Sequence, residues 1–183
     1  MTTSKELTAI SKFLSLVLRH QPQQIGLALD EAGWVAVDDL LHRAQVAGRP
    51  ISRTQLQQVV AESDKQRFAL SSDGQRIRAN QGHSVDVELG LAPEVPPERL
   101  YHGTATRFLV SILADGLRRG QRHHVHLTDD LATARSVGQR YGVLALLQVD
   151  AARMNHEGHV FMRTANGVWL TETVPPAYLN LLD

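Results

Sequence analysis

A proline-rich, acidic segment near the middle of the chain separates two halves with different patterns. Residues 84–99 read SVDVELGLAPEVPPER and hold three prolines and four acidic residues against one arginine. Proline interrupts helices and central strands, so this composition is typical of a linker. With 183 residues, the chain is long enough for two small domains. We therefore expect domains at residues 1–83 and 100–183, joined by a linker at 84–99.

The N-terminal half carries helix signals followed by a hairpin signal. Thr3 and Glu6 form a capping-box pattern ahead of an apolar periodicity that predicts a helix as far as His20. Asp38 is the expected cap of a second helix. A short strand, a third helix with its own capping pattern and a hairpin are predicted at residues 33–37, 51–60 and 67–79. This order predicts a winged-helix-like module.

The C-terminal half predicts a strand-rich unit with two helices. Leu100 to Thr104 reads as a strand that ends in a turn at His102-Gly103-Thr104, ahead of a helix closed by Gly116. Asn166-Gly167 is a strong hairpin signal. Further strands are predicted at residues 124–128 and 143–149. Between them, a helix capped by Asp129 or Asp130 is predicted at residues 130–140. Neither GxGxxG nor GxxxxGK[ST] occurs, which argues against Rossmann and P-loop nucleotide sites. The chain as a whole predicts an α+β fold.

Composition narrows the function classes. Acidic and basic residues number 19 each, and the resulting zero net charge argues against strong nonspecific binding to nucleic acid. Sixteen of the basic residues are arginines, which suit phosphate recognition, although a GC-rich genome gives the same enrichment. The chain has no cysteine, no apolar run long enough for a membrane helix and no signal-peptide pattern at its N-terminus. We expect a cytoplasmic protein, and its small size and balanced charge permit a monomer.

Four groups of residues could carry chemistry, and each also has a structural interpretation. Arg19-His20 at a helix end would complement the helix dipole. Arg67 could be a solvated strand residue, and His-Gly-Thr at 102–104 is a weak motif by itself. The fourth group is Arg122-His-His-Val-His-Leu-Thr128, where alternating histidines could bind a metal, but no third ligand is indicated.

Taken together, these groups resemble a known enzyme family. The blocks LSLVLRHQP, LALDEAGWVAVDDLL, SDKQRFAL, IRANQGHS, LYHGT, RHHVHLTDD and ATARSVG follow one another at family-like spacing. In order and spacing the chain resembles the RNA (tRNA) 2'-phosphotransferase family from about residue 10 to the strand at 169–171. The C-terminal lobe of that family is similar to the ADP-ribosyltransferase fold, which binds NAD.

The resemblance implies a two-step, metal-free reaction with NAD as co-substrate. An internal RNA 2'-phosphate attacks the nicotinamide ribose of NAD, and nicotinamide leaves. The ADP-ribosylated RNA intermediate then resolves to 2'-OH RNA and ADP-ribose 1'',2''-cyclic phosphate. By family match, the catalytic set is Arg19, His20, Arg67 and Arg122. Also by family match, the residues that lie along NAD are His102, Gly103, Thr104, Thr128 and Arg135.

Further expectations concern individual residues. The three catalytic arginines would stabilise charge on the phosphoryl oxygens. His20 would donate a proton to the departing RNA 2'-oxygen or bind the phosphate. Gln81 and His83, at the end of the hairpin, are candidate substrate contacts, and a structural role at the exit of the hairpin is the alternative. We expect Arg19 and His20 to face a cleft between the lobes.

Two other functions compete with this interpretation. The first is an ADP-ribosyltransferase that stops after the first step, on a nucleic-acid phosphate or a protein. The second is a non-enzymatic winged-helix nucleic-acid binder, but its expected recognition helix, residues 52–62, carries only one basic residue, Arg53. A tRNA splice junction is the eukaryotic context of the family, and nothing in the sequence identifies the natural RNA of this chain.

Overall fold

A computed structural model describes residues 3–63 and 65–182. The chain forms two compact units, Met1–Gly90 and Leu91–Asp183. The division falls inside the proline-rich acidic segment, and residues on either side of it belong to the units themselves. The Glu94 N–H, for example, donates to the carbonyl of Phe161.

Three helices dominate the N-terminal unit. They are α1 (Ser4–Arg19), α2 (Val37–Val46) and α3 (Arg53–Ala61). Two of the predicted caps are confirmed: Thr3 with Glu6 begins α1, and Ser52 with Gln55 begins α3. The cap predicted at Asp38 is wrong, because the N-cap is Ala36 and α2 begins at Val37, two residues earlier than a cap at Asp38 would place it. The Asp38 carboxylate instead lies in the first turn, where it accepts a hydrogen bond from Arg53.

A small antiparallel sheet completes this unit. Its strands are β1 (Val35–Ala36), β2 (Phe68–Leu70) and β3 (Arg76–Ala79), in the order β1-β3-β2. The predicted hairpin is confirmed, with Phe68 opposite Ala79 and Leu70 opposite Ile77. The apolar face of α1 packs with the other helices and the sheet in one core, whose fully buried members include Leu14, Leu18, Leu40, Leu56 and Ile77.

The C-terminal unit contains eight strands and three α-helices within its described residues. The strands are β4 (Arg99–Ala105), β5 (Leu117–Arg118), β6 (Val125–Leu127), β7 (Leu144–Asp150), β8 (Phe161–Arg163), β9 (Trp169–Thr171), β10 (Thr173–Val174) and β11 (Leu179–Leu182). The helices are α4 (Leu109–Asp115), α5 (Leu131–Gly138) and α6 (Ala151–His156). Helix α6 was not predicted. Its cap, Asp150, ends a long apolar strand whose pattern gives no sign that a helix follows.

Two three-stranded antiparallel sheets form the frame of this unit. Their orders are β11-β7-β4 and β6-β9-β8. The two sheets meet at one point, where the backbones of Tyr101 and Thr128 exchange hydrogen bonds of 2.7 and 3.1 Å. Helix α5, capped by Asp130, packs against β4 and β7.

The predicted α+β class is therefore confirmed, while one local prediction about this unit is wrong. His102, Gly103 and Thr104 lie inside strand β4, which continues to Ala105, and not in a turn at its end. Among the described residues, no helix has the length and apolar character to cross a membrane.

Candidate functional site

Arg19 and Arg67, far apart in sequence, meet at one end of helix α1. The Arg19 guanidinium donates from Nη2 to the backbone carbonyl of Arg67 at 3.4 Å. It also lies over the Phe68 ring, 5.9 Å from the ring centroid. Both arginine side chains are partly buried. The fold therefore brings two of the predicted catalytic arginines together within the N-terminal unit.

His20 caps the C-terminal end of α1 and contacts the segment that follows the hairpin. Its Nδ1 lies 2.9 Å from the hydroxyl oxygen of Ser84. The backbone N–H groups of Ser84 and Val85 donate to the carbonyl of Arg19 at 2.8 and 3.3 Å. These bonds satisfy a carbonyl that the end of a helix leaves without an intrahelical partner. Residues 84–85 thus hold the Arg19-His20 pair in position.

Arg67 is held by a second set of backbone contacts. Its carbonyl accepts from the Asn80 N–H at 2.9 Å, and the Asn80 side chain donates to the carbonyl of Gln66. Gln66 has a φ of 41°, the only positive value among the described non-glycine residues. Such a conformation persists when surrounding contacts fix it, and here the buried Asn80 amide does so. Sequence reasoning missed Asn80 and Ser84, although both lie in the IRANQGHS block that the resemblance used.

The two candidate substrate contacts in that block have different environments. Gln81 is half-buried, whereas His83 is buried at 3% exposure. A Cβ built on Gly33 would lie 3.3 Å from His83 Nε2, so the imidazole packs against the loop that precedes β1.

A groove on the N-terminal unit begins at the candidate phosphate-binding residues. It encloses about 580 Å3 between α1 and the end of α3, and His20 and Arg67 are among the residues that line it. An imidazole and a guanidinium that border one concave surface can bind an anion such as a phosphate.

In the C-terminal unit, contacts on His102 define its protonation state. Its Nδ1 lies 3.1 Å from the backbone carbonyl of His126, and a carbonyl only accepts, so Nδ1 carries the proton. Burial lowers the pKa of His102, the hydrogen bond to His126 partly opposes this, and the nearby Arg122 charge lowers the pKa further. His102 is therefore a neutral imidazole with a lone pair on Nε2.

Arg122 lies next to His126, the residue whose carbonyl accepts from His102. Its Nη1 is 3.1 Å from Nδ1 of His126, and because a guanidinium only donates, Nδ1 of His126 accepts. Arg122 is exposed and precedes β6. Thr128, just after β6, uses its hydroxyl oxygen to accept from the Asp130 N–H at 3.1 Å. The last residue of the predicted NAD set, Arg135, is exposed on α5.

Gly103 and Gly138 allow strand and helix backbones to touch beside His102. A Cβ on Gly103 would lie 1.7 Å from the carbonyl oxygen of Ala134 in α5. A Cβ on Gly138 would lie 2.9 Å from the Thr104 nitrogen. Only glycine fits this crossing, so Gly103 sets the spacing between β4 and α5, and with it the position of its neighbours.

Within residues 3–63 and 65–182, no three His, Asp or Glu side chains converge in a way that could hold a metal ion. His124 and His126, the pair considered as metal ligands from the sequence, have no third such ligand in this part of the chain.

Comparison with known proteins shows which family these residues belong to. The model of the RNA 2'-phosphotransferase, Tpt1/KptA family matches residues 5–173. Two proteins named "Probable RNA 2'-phosphotransferase" are similar over almost their whole lengths. The one from Hahella chejuensis is 55% identical over 98% of this chain and 96% of its own. The one from Agrobacterium fabrum is 57% identical over 95% of this chain and 94% of its own. The chain therefore belongs to the RNA 2'-phosphotransferase, Tpt1/KptA family.

Proposed function

We propose that the chain is an NAD-dependent transferase that removes an internal 2'-phosphate from RNA. The observation that carries the proposal is the meeting of Arg19, His20 and Arg67 at one end of α1, where His20 and Arg67 border the same groove. Family membership supplies the RNA 2'-phosphate as the group to be transferred. Two guanidinium groups and an imidazole suit an anion that gains charge during transfer.

The two units take different roles in this proposal. The N-terminal unit is a winged-helix-like lobe that binds the RNA phosphate, which its three helices followed by a β2–β3 hairpin support. The C-terminal unit is an ADP-ribosyltransferase-like lobe that binds NAD. Its two sheets joined at Tyr101 and Thr128 support that assignment.

The residues of the C-terminal unit fit NAD as a co-substrate. Neutral His102 offers an acceptor, Nε2, to a ribose hydroxyl, and its Nδ1–H is already held by the His126 carbonyl. Gly103 and Thr104 continue the same strand, and Thr128 lies beside it across the backbone pairing. Arg135, exposed on α5, offers a positive charge to the pyrophosphate.

The reaction balances without a metal or a redox step. The RNA 2'-phosphate oxygen bonds to C1'' of the nicotinamide ribose, and nicotinamide leaves with the electron pair of the broken bond. The ribose 2''-hydroxyl of the resulting ADP-ribosylated RNA then attacks the phosphorus and loses its proton to solvent, while the RNA 2'-oxygen departs and takes up a proton. The products are nicotinamide, 2'-OH RNA and ADP-ribose 1'',2''-cyclic phosphate.

The residues of the chain have distinct tasks in these steps. The first step needs no general base, because a phosphate is already anionic at neutral pH. In the second step Arg19, Arg67 and Arg122 stabilise charge that builds on the phosphoryl oxygens. His20 donates a proton to the departing 2'-oxygen, and Ser84 holds the imidazole through Nδ1.

One assay separates this proposal from its competitors. Incubation with NAD and an RNA oligonucleotide bearing an internal 2'-phosphate should give 2'-OH RNA and the cyclic phosphate. An enzyme that stops after ADP-ribosylation would leave only modified RNA, and a binding protein would leave the RNA unchanged. Either of those results contradicts the proposal. A monomeric state and a cytoplasmic location stay predictions.

A further inference from the structure

The groove that starts at His20 and Arg67 extends well beyond them along α1. Its other end reaches Ser4, at the beginning of the helix. With a rise of about 1.5 Å per residue, the 16 residues of α1 span about 24 Å. This length is more than a single phosphate group occupies, so most of the groove has no task in the reaction described above.

The lining of this extension combines three apolar side chains, Leu7, Leu16 and Val59, with polar groups that suit a sugar-phosphate chain. From α1 it includes four hydroxyl side chains, on Ser4, Thr8, Ser11 and Ser15, together with the ammonium group of Lys12. Exposed Lys12 forms no ion pair with any residue in the described part of the chain. Hydroxyl and ammonium groups are common phosphate contacts in nucleic-acid complexes.

One carboxylate also lines the groove. It belongs to Glu62, which lies at the end of α3 and accepts a hydrogen bond from the Gln58 amide at 2.8 Å. The groove is also lined by three basic side chains, those of Lys12, Arg67 and His20. The groove as a whole therefore favours an anionic ligand. A polyanion that begins at the transferred phosphate is the ligand most continuous with the candidate site.

We infer that this groove binds the RNA strand that continues from the 2'-phosphorylated nucleotide. Lys12 contacts a backbone phosphate of that strand, and the hydroxyl groups of α1 contact ribose and phosphate oxygens. The inference rests on the proposed function, because the position of the strand is set by the phosphate at His20 and Arg67. Binding of the strand in this groove makes the activity depend on the length of the RNA on one side of the reacting nucleotide.

The length of strand needed to reach Lys12 from His20 follows from helix geometry. Lys12 lies eight residues before His20, which corresponds to about 12 Å along the axis. A strand stacked at about 3.4 Å per nucleotide covers that distance with about four nucleotides. Lys5 lies seven residues further along, about 10 Å beyond Lys12, and does not line the groove. It therefore supplies a matched control on the same helix.

The experiment compares three substrates and three variants of the full chain. The substrates are a dinucleotide with an internal 2'-phosphate and two hexanucleotides that extend it by four nucleotides on the 5' or the 3' side. The variants are Lys12→Glu, Lys12→Arg and Lys5→Glu. We measure kcat/KM with NAD, and hexanucleotide binding without NAD by fluorescence anisotropy at several salt concentrations.

For the wild-type chain, one of the two extensions should raise kcat/KM over the dinucleotide. Lys12→Glu should lower that gain about tenfold, the value of one charged contact, and flatten the dependence of log Kd on log salt by about 0.7. Lys12→Arg should retain the gain, and so should Lys5→Glu, because it makes the same charge change outside the groove.

The results also separate this inference from the proposed function. If the dinucleotide is converted but neither extension raises kcat/KM, the groove inference is wrong and the proposed function stands. Equal losses in Lys12→Glu and Lys5→Glu would also overturn the inference, because they indicate a general charge effect. If neither the dinucleotide nor either hexanucleotide is converted, the proposed function fails, and equal hexanucleotide affinities in the two variants would then refute the groove as well.

Discussion

Gly103→Ala adds one methyl group where strand β4 crosses the backbone of helix α5. The new Cβ would lie 1.7 Å from the carbonyl oxygen of Ala134 and 2.8 Å from the nitrogen of Gly138, whereas ordinary contacts begin at 3.4 Å. The strand and the helix must therefore separate by about 1.7 Å. The obstructing atoms belong to backbone, so no side chain can rotate away to make room.

The free-energy cost follows from the kind of contact that is broken. Overpacking a well-packed core costs about 1–3 kcal/mol, and the rigid backbone places this case near about 3 kcal/mol. The contacts at risk include Ala134, which is 1% exposed, and the packing of Gly138 against Leu144. Because His102 adjoins Gly103 on the same strand, we expect the proposed NAD-dependent activity to fall as well.

Urea unfolding followed by tryptophan fluorescence measures this cost. The chain has two tryptophans, Trp34 in the N-terminal unit and Trp169 in the C-terminal unit. In a Trp34→Phe background, Trp169 reports on the C-terminal unit alone, which avoids treating two units as a single two-state transition.

Gly120→Ala is the matched control, because it makes the same change in the same unit without a clash. Gly120 has a φ of 62° and no other residue within 4 Å of the added Cβ, so only the left-handed backbone costs energy, about 1 kcal/mol. If Gly103→Ala destabilises the C-terminal unit no more than Gly120→Ala does, the close contact between β4 and α5 is not what the unit depends on, and the reasoning is refuted.

Three further predictions concern the candidate catalytic residues. His20→Ala should slow the second step more than the first, so ADP-ribosylated RNA should accumulate in a gel assay; unaltered partitioning would remove His20 from the acid role. Arg122→Ala should lower kcat by about 100-fold, the loss typical of one preorganised donor, and a loss under about fivefold would place it outside the transition-state contacts. Because burial lowers the pKa of His102, the unfolded chain binds a proton near pH 6.5 that the folded chain does not. The contribution of His102 to the free energy of unfolding is thus lost as pH falls below about 6.5. His102→Gln should make that pH dependence shallower, and an unchanged slope would contradict the assignment.

Local sequence signals predicted most of the secondary structure because their physics is local. Capping boxes such as Thr3 with Glu6 act over three residues, and a turn such as Asn166-Gly167 acts over two. Helix α6 was missed for the same reason, since its only start signal, Asp150, follows an apolar strand. Asp38 shows that a local signal can also mislead. It is a good capping residue, but its carboxylate accepts a hydrogen bond from Arg53, fifteen residues away, and does not cap α2.

By itself, the sequence determined the α+β class, the caps of α1 and α3, the hairpins and the family to which the chain belongs. Only the tertiary structure decided that Arg19 reaches the carbonyl of Arg67, 48 residues away, and that the His126 carbonyl fixes the proton of His102. It also decided that Gly103 lies inside a strand, against a helix backbone, and not in a turn. Such contacts depend on how distant segments pack, and no pattern confined to a few neighbouring residues specifies that packing.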